Sequence, residues 1–377
     1  MKYLNKTKWH IYLIVIGVLM LSLISWASFA KKMGSNLKAQ IEVSKESIDL
    51  CNSLDGVIKK GNAQWSVYKQ SVFSRIDMIV TYFVTGEISS LQVVDGKDGW
   101  LFYGTNTDSD PIGDYEGTNS YTQDEMNEAY EAALSVQQEL QNHGIKFAIL
   151  VPPNKENIYS EYMPDTYIHS EQSRTDYLIG YLSRKGINIV SPKNDLLKYH
   201  NDFQLYYSYD THWNQLGAYI GVRDTLQTWG LNIPDLSKRT FSSSELKREY
   251  HYCGQDDLAQ ILGMRFIFSD EIEYTVDGTK LMEWKNFQTE QENSEVSFFH
   301  NDTVTTRATI LIIGDSFRTS MIPALREKFS DVYVVHRSYF SPDMIDDIKP
   351  DYMIVEYVER YSSEIKNIDK LFRTDVK

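Results

Sequence analysis

Cysteine is nearly absent: Cys51 and Cys253 are the only two in 377 residues. That excludes a disulfide scaffold and any cysteine-rich zinc or iron–sulfur site. Spacing alone does not decide whether the two pair, because it says nothing of the distance between them. Long basic runs are also missing, and the formal net charge is −14. Binding nucleic-acid phosphates needs clustered Lys and Arg, so no nucleic-acid partner is expected. Internal repeats and low-complexity stretches are absent as well, which leaves one large globular body as the expectation. What is plentiful is tyrosine: 26 residues bring the aromatic content to 13%. Such an excess suits sugar binding and amphipathic core-rim positions equally.

One long apolar run stands out. Residues 9–30 (WHIYLIVIGVLMLSLISWASFA) carry no Lys, Arg, Asp or Glu. About 20 such residues are needed to cross a hydrocarbon core as a helix. Lys2, Lys6 and Lys8 before the run nearly balance Lys31, Lys32 and Lys38 after it. The short tail 1–8 therefore argues for orientation, with the tail cytoplasmic and the body outside. The run is longer than a signal-peptide core, so it reads as an uncleaved signal-anchor, with a cleaved signal peptide as the alternative. The expected order is a cytoplasmic tail (1–8), a transmembrane helix (9–30), a membrane-proximal helical stalk (31–90) and a catalytic body (91–377). The expected location is the cell membrane, spanned once, with the body extracytoplasmic.

Past the stalk, LQVVDGKDGWLFY (91–103) reads as two strands around Asp95, Gly96 and Asp98, a hairpin. Thr122 and Glu125 form a T-x-x-E capping box that opens a helix to about His143, stopped by Gly144. An apolar strand follows at 146–151, then a helix at 171–184, a strand at 187–190 and a helix at 215–229. The last third alternates strand 308–313, helix 317–329, strand 332–335, helix 343–348 and strand 352–358. Apolar strands separated by helices predict an α/β fold with a mostly parallel sheet covered on both faces. Residues 231–302 break that rhythm and read as an insertion, in which Asp257 and Leu258 have no assigned part.

Ligands in such sheets bind beyond the carboxyl ends of the strands. Strand 308–313 runs into Gly314-Asp315-Ser316-Phe317, which places the Ser316 hydroxyl at a strand-to-helix turn. Backbone N–H groups at the start of that helix are oxyanion donors by position. A lone Gly-Asp-Ser triplet is equally a helix cap. The second element is Asp210-Thr211-His212-Trp213. In extended chain, residues i and i+2 point to one side, so Asp210 and His212 present a carboxylate and an imidazole together. A serine nucleophile needs such a base and such an orienter. An Asp-x-His pair also ligates metals, but the sequence offers no His-rich or Cys-rich partner motif, so no metal and no cofactor is expected.

Five segments in matching order carry a resemblance: GKDGWLFY (96–103), VPPNKENIYSEYMP (151–164), YYSYDTHWNQLGAY (206–219), LIIGDSF (311–317) and DYMIVEYVERY (351–361). Together they resemble the alginate O-acetyltransferase family of SGNH-hydrolase-like proteins, from about residue 91 to the end. In that family the Asp-x-His-Trp segment precedes the serine, as it does here; ordinary SGNH esterases carry Asp-x-x-His after it. The resemblance implies Ser316 as nucleophile, His212 as general base and Asp210 as its orienter. It also implies O-acetylation of an exported polysaccharide, with acetyl supplied by a membrane-bound O-acyltransferase partner. Alginate itself is not implied.

A carbohydrate acetyl esterase with the same triad and a non-catalytic polysaccharide-binding component of a secretion complex are the alternatives. Five further positions sit near strand ends. Asn154 and Lys155 are candidate donors to an oxyanion or a sugar hydroxyl, or members of a solvated loop. Trp213 is a sugar-stacking ring or a wall of the site. Glu356 and Arg360 are substrate contacts or a structural ion pair.

Overall fold

The computed structural model describes residues 81–82, 85, 88, 90–104, 109–247, 257–264, 270–276, 279–280, 288–292, 295–304 and 307–373. The apolar run 9–30, most of the stalk and both cysteines lie outside them. Among the described residues no helix is long and apolar enough to cross a membrane.

The strands in chain order are β1 (Val93–Asp95), β2 (Leu101–Tyr103), β3 (Lys146–Leu150), β4 (Ile189–Val190), β5 (Phe241–Lys247), β6 (Asp270–Val276), β7 (Thr279–Lys280), β8 (Gln288–Glu292), β9 (Val296–His300), β10 (Thr309–Gly314), β11 (Asp331–His336) and β12 (Tyr352–Glu356). The α-helices are α1 (Pro111–Tyr115), α2 (Gln123–Asn142), α3 (Arg174–Arg184), α4 (Lys193–Tyr199), α5 (Gln215–Thr228), α6 (Asp257–Leu262), α7 (Ile322–Arg326) and α8 (Asp343–Ile348). The main sheet has seven strands in the order β4-β3-β12-β10-β11-β9-β8. Its pairings from β4 to β11 are parallel, and β9 and β8 add on antiparallel. The expected mostly parallel α/β sheet is present. Strands β1 and β2 form the expected hairpin.

β10, near the middle of the sheet, shows why these strands read as unbroken apolar runs. Ile310 and Ile312 face one core with Leu150, Ile354 and the α5 residues Leu216, Ile220 and Leu226. Leu311 and Ile313 face the other, with Ala129, Ala133, Val136 and Leu140 of α2 and Leu178 and Leu182 of α3. Helices cover both faces, so neither side of the strand is free to be polar. The α2 residues recur at helical spacing and make its buried stripe. Its start is the capping box formed by Thr122 and Glu125, and Gly144, at φ +76°, ends it.

Three expectations change. The helix expected at 317–329 is a 3-10 turn over Ser316–Met321 followed by the short α7. Pro323 explains the break, because it has no N–H to give inside a continuous helix but fits the first turn of a new one. Second, the segment 231–302 is not wholly outside the sheet. Its last part supplies β8 and β9, and β9 pairs with β11 while burying Phe299. Third, the strand expected at 352–358 stops at Glu356, and the chain continues as successive 3-10 turns over Glu359–Phe372, which bury Ile365, Ile368 and Phe372 under α2.

Candidate active site

The carboxyl ends of β10, β12 and β3 converge where the sequence places its motifs. β10 ends at Gly314, and there is no room there for a side chain. A Cβ on Gly314 would lie 2.4 Å from Glu356 Oε2 and 2.9 Å from Glu356 Cβ. Glycine is therefore required by the close approach of β12, not by an unusual φ. The Glu356 carboxyl accepts the Asp315 N–H at 3.0 Å. Asp315 in turn accepts the N–H groups of Phe317 and Val358, at 2.9 and 3.1 Å. The capping role and the placement of Ser316 are thus one device: the buried Asp315 caps the turn, and Ser316 next to it is exposed.

Across the cleft, residues 206–213 run from the Tyr206–Trp213 bridge through the Asp-x-His pair. His212 Nε2 lies 2.5 Å from Ser316 Oγ, and His212 Nδ1 lies 2.5 Å from Asp210 Oδ1. The buried Asp210 also accepts the N–H of His212 at 2.8 Å and the N–H of Asp257 at 2.9 Å. With Nδ1–H donated to Asp210, the ring presents a lone pair at Nε2 to the serine hydroxyl. Burial opposes charge on both partners. For His212 the charge and hydrogen bond of Asp210, with Asp257 behind it, outweigh burial and hold the imidazole above its ordinary value. For Asp210, His212 and the two N–H groups outweigh burial and hold the carboxyl low.

The other sequence candidates fall differently. Lys155 is 2% exposed and donates to the carbonyls of Tyr207, Ser208 and Asp210 at 3.0, 3.0 and 2.7 Å. Its ammonium also lies over the rings of Trp100 and Phe102. It holds the loop that carries Asp210 and does not face a substrate. Trp213 is fully buried, its N–H donates to the Phe317 carbonyl at 2.9 Å, and its ring fills the space above Gly221. It walls the site and cannot stack on a sugar. Glu356 and Arg360 do not pair with each other. Glu356 is buried against Asp315, and burial and that neighbouring charge push its carboxyl well above the usual range. The Arg360 guanidinium lies over Phe317, Tyr361 and Tyr103 at 5.3, 5.3 and 5.6 Å. It borders a cavity of 870 Å³ shared with Arg174, Arg337, Tyr357 and Tyr361.

The Ser316 N–H and the Asn154 amide are the remaining candidate oxyanion donors. Asp315 takes the Phe317 N–H with its carboxylate and the Arg318 N–H with its carbonyl. Ser316's own N–H is left without a protein partner among the described residues. Asn154 accepts the Arg360 N–H through Oδ1 at 3.3 Å, and its Nδ2 is buried with no partner among the described residues.

Asp257 and Leu258, in the segment 231–302, part here: Leu258 is buried in a small core, and Asp257 reaches the triad. Its carboxylate accepts the Thr211 N–H at 2.8 Å and the Thr211 hydroxyl at 2.5 Å, and stands 3.7 Å from His212 Nδ1. It supplies the third acidic or imidazole ligand atom near Asp210 and His212, all within 4.8 Å, that the sequence seemed to lack for a cation. The hydrogen bonds favour the relay: Asp210 spends both oxygens on N–H donors, and His212 Nε2 faces Ser316.

No curated protein sequence matches the chain. Among solved structures, PatB1 of Bacillus cereus is 14% identical, covering 74% of this chain and 98% of that one, with a TM-score of 0.48. A DHHW family protein from Eubacterium siraeum is 16% identical (73% and 97% covered, TM-score 0.48). The O-acetyltransferase domain of Pseudomonas putida AlgJ is 16% identical (73% and 98%, TM-score 0.44). The family model of the SGNH hydrolase-like domain of the acetyltransferase AlgX matches residues 93–332, from the hairpin to the start of β11 and across Asp210, His212 and Ser316. With well over half its length under that model, the chain belongs to the AlgX family of SGNH-hydrolase-like acetyltransferase domains.

Proposed function

We propose that this chain is a serine-dependent O-acetyltransferase that moves acetyl groups onto hydroxyls of an exported cell-surface polysaccharide. The observation that carries the proposal is the unbroken line from exposed Ser316 Oγ through His212 to buried Asp210, 2.5 Å at each step. In the first half-reaction His212 Nε2 takes the Ser316 proton as Oγ bonds to the donor's acetyl carbonyl. The negative oxygen that forms is met by the Ser316 N–H at the start of the turn. Collapse breaks the donor's acyl bond, and His212 returns the proton to the leaving group. In the second half, a sugar hydroxyl gives its proton to His212 and bonds to the acetyl carbon, the bond from that carbon to Ser316 Oγ breaks, and His212 returns the proton to Oγ.

In this reading the apolar run 9–30 is a single-pass anchor, the body lies outside the cytoplasm, and a membrane-bound O-acyltransferase delivers the acetyl. An anchor raises the effective concentration of the body at the membrane surface where the donor arrives. The exposure of Ser316 also suits a carbohydrate acetyl esterase, with water as acceptor. The test is incubation of the full-length protein with p-nitrophenyl acetate and oligosaccharides, read by mass spectrometry. Acetylated oligosaccharide from wild type and none from Ser316→Ala supports the proposal. Free acetate with unmodified oligosaccharide selects the esterase, and equal products from Ser316→Ala overturn both.

A further inference from the structure

Asp257 opens α6, in a part of the chain with no apparent tie to the triad by sequence. α6 packs on the hairpin through Leu258, Ala259 and Leu262, which share a small core with Val93 and Leu101. From that base it reaches the residues that carry the relay. The Ala259 N–H donates to the Tyr209 carbonyl at 3.2 Å. The Asp257 N–H donates to Asp210 Oδ2 at 2.9 Å, and its carboxylate accepts both Thr211 donors. The exchange is reciprocal: the backbone of 257 satisfies the side chain of 210, and the side chain of 257 satisfies the backbone of 211. On the opposite side Lys155 holds the carbonyls of the same loop. The loop is therefore gripped through its carbonyls by a cation and through one amide and one hydroxyl by an acid.

We infer that Asp257 is a positioning residue: it clasps the Asp210-Thr211-His212 segment and places a second carboxylate behind His212 Nδ1. The inference rests on the acyl-transfer reading for its effect on rate, but not for its effect on the imidazole. A group 3.7 Å from Nδ1 that carries charge favours the imidazolium which forms when Ser316 gives up its proton. Three groups bear on His212 by charge: Asp210 and Asp257 favour the protonated ring, and Arg360, from the segment after β12, opposes it. Asp257 itself lies beside Asp210, and burial and that charge make it hold its proton more tightly than a free aspartate. Its contribution to His212 is accordingly greatest where Asp257 is ionised and is lost as it protonates.

The experiment compares wild type, Asp257→Asn and Asp257→Ala as full-length proteins, with two readouts. The first is the titration of His212 by NMR in protein labelled at histidine Cε1, with the signal identified by its loss in His212→Gln. The second is the pH dependence of kcat and KM for p-nitrophenyl acetate. Removing the charge in Asp257→Asn is expected to move the His212 midpoint, and with it the acid limb of kcat/KM, to lower pH. Asp257→Ala also drops the hold on Thr211 and is expected to lower kcat by about ten- to a hundredfold with KM little changed, as for small misplacements of a catalytic group. A His212 midpoint that is the same in all three proteins overturns the inference. A wild type without esterase activity whose His212 still responds to residue 257 supports the clasp and overturns the acyl-transfer reading instead.

Discussion

The indole N–H of Trp213 donates to the carbonyl of Phe317 at 2.9 Å, tying the residue after His212 to the residue after Ser316. The two halves of the relay come from segments about a hundred residues apart, and this buried bond sets their separation. Trp213 also presses on Gly221 of α5, where an added Cβ would lie 2.8 Å from the indole. The register between His212 and Ser316 is thus anchored to a helix in the core. Trp213→Phe keeps most of the ring but leaves the Phe317 carbonyl unpaired. It is expected to cost about 1–3 kcal/mol of stability and to slow ester hydrolysis more than the loss of folded protein explains. Thermal unfolding and kcat measured on the same samples check both.

Lys155 makes a comparable prediction on the other side of the loop. Lys155→Met keeps the stem between Trp100 and Phe102 but removes the ammonium that serves the carbonyls of Tyr207, Ser208 and Asp210. A loss of about 2–4 kcal/mol is expected in urea unfolding, since several buried acceptors lose a charged donor at once.

Gly314 and Glu356 give a paired test. Gly314→Ala drives a methyl against the Glu356 carboxyl and is expected to cost about 1–3 kcal/mol by overpacking. Adding Glu356→Ala removes the nearer contact, the carboxyl at 2.4 Å, but keeps the Cβ at 2.9 Å, and restores part of the loss, so the two changes together are expected to be less harmful than their sum. Additive losses in urea unfolding would contradict the close approach as the reason for glycine.

Glu156, beside Lys155 in the same turn, is 2% exposed, and its Oε1 has no partner among the described residues. Burial first, and then the charge of Glu359, raise its carboxyl from 4.5 to about 8. A carboxyl raised in the folded state favours folding while it stays protonated. Its ionisation in the unfolded chain therefore draws stability away as pH rises from about 4.5 to about 8. Glu156→Gln removes that dependence. The variant is expected to be more stable than wild type at pH 7.5 and to show a flatter stability curve between those limits, as measured by thermal unfolding across pH.

His212 is expected to govern the acid limb of activity. Burial favours the neutral ring, but Asp210 and Asp257 outweigh it, so the ring keeps its proton to a higher pH than a free imidazole. Because the base form accepts the Ser316 proton, activity is expected to rise with pH through a midpoint above the ordinary histidine value. A pH–rate profile of kcat/KM checks the sign, and a midpoint below that value would contradict it.

Much of this was legible in the sequence where local rules decide. The capping box at Thr122, the glycine stop at Gly144 and the apolar strands need only a few neighbours to be read. The same is true of the Asp-x-His spacing, since residues two apart in extended chain share a side. What could not be read depended on contacts between distant segments. Lys155 looked like a substrate donor because nothing in its neighbourhood shows that three carbonyls some 50 residues away will surround it. Trp213 read equally as a sugar-stacking ring or a wall of the site, because the burial that makes it a wall is set by Gly221 and Phe317. Asp257 had no local signal at all; only the docking of α6 on the hairpin brings it to Thr211. The one local clue that was present and passed over is Pro323, which marks the break after the Ser316 turn.

The most direct test of the central claim is the site of covalent acetylation. The full-length protein is mixed briefly with p-nitrophenyl acetate, quenched in acid, digested and analysed by peptide mass spectrometry. The account expects one acetyl group on the peptide that contains Ser316, absent from Ser316→Ala and formed at least a hundredfold more slowly in His212→Ala, as removal of a general base requires. Acetate release that continues undiminished in Ser316→Ala, or an acetyl group that builds up at another residue while Ser316 stays unmodified, would contradict it.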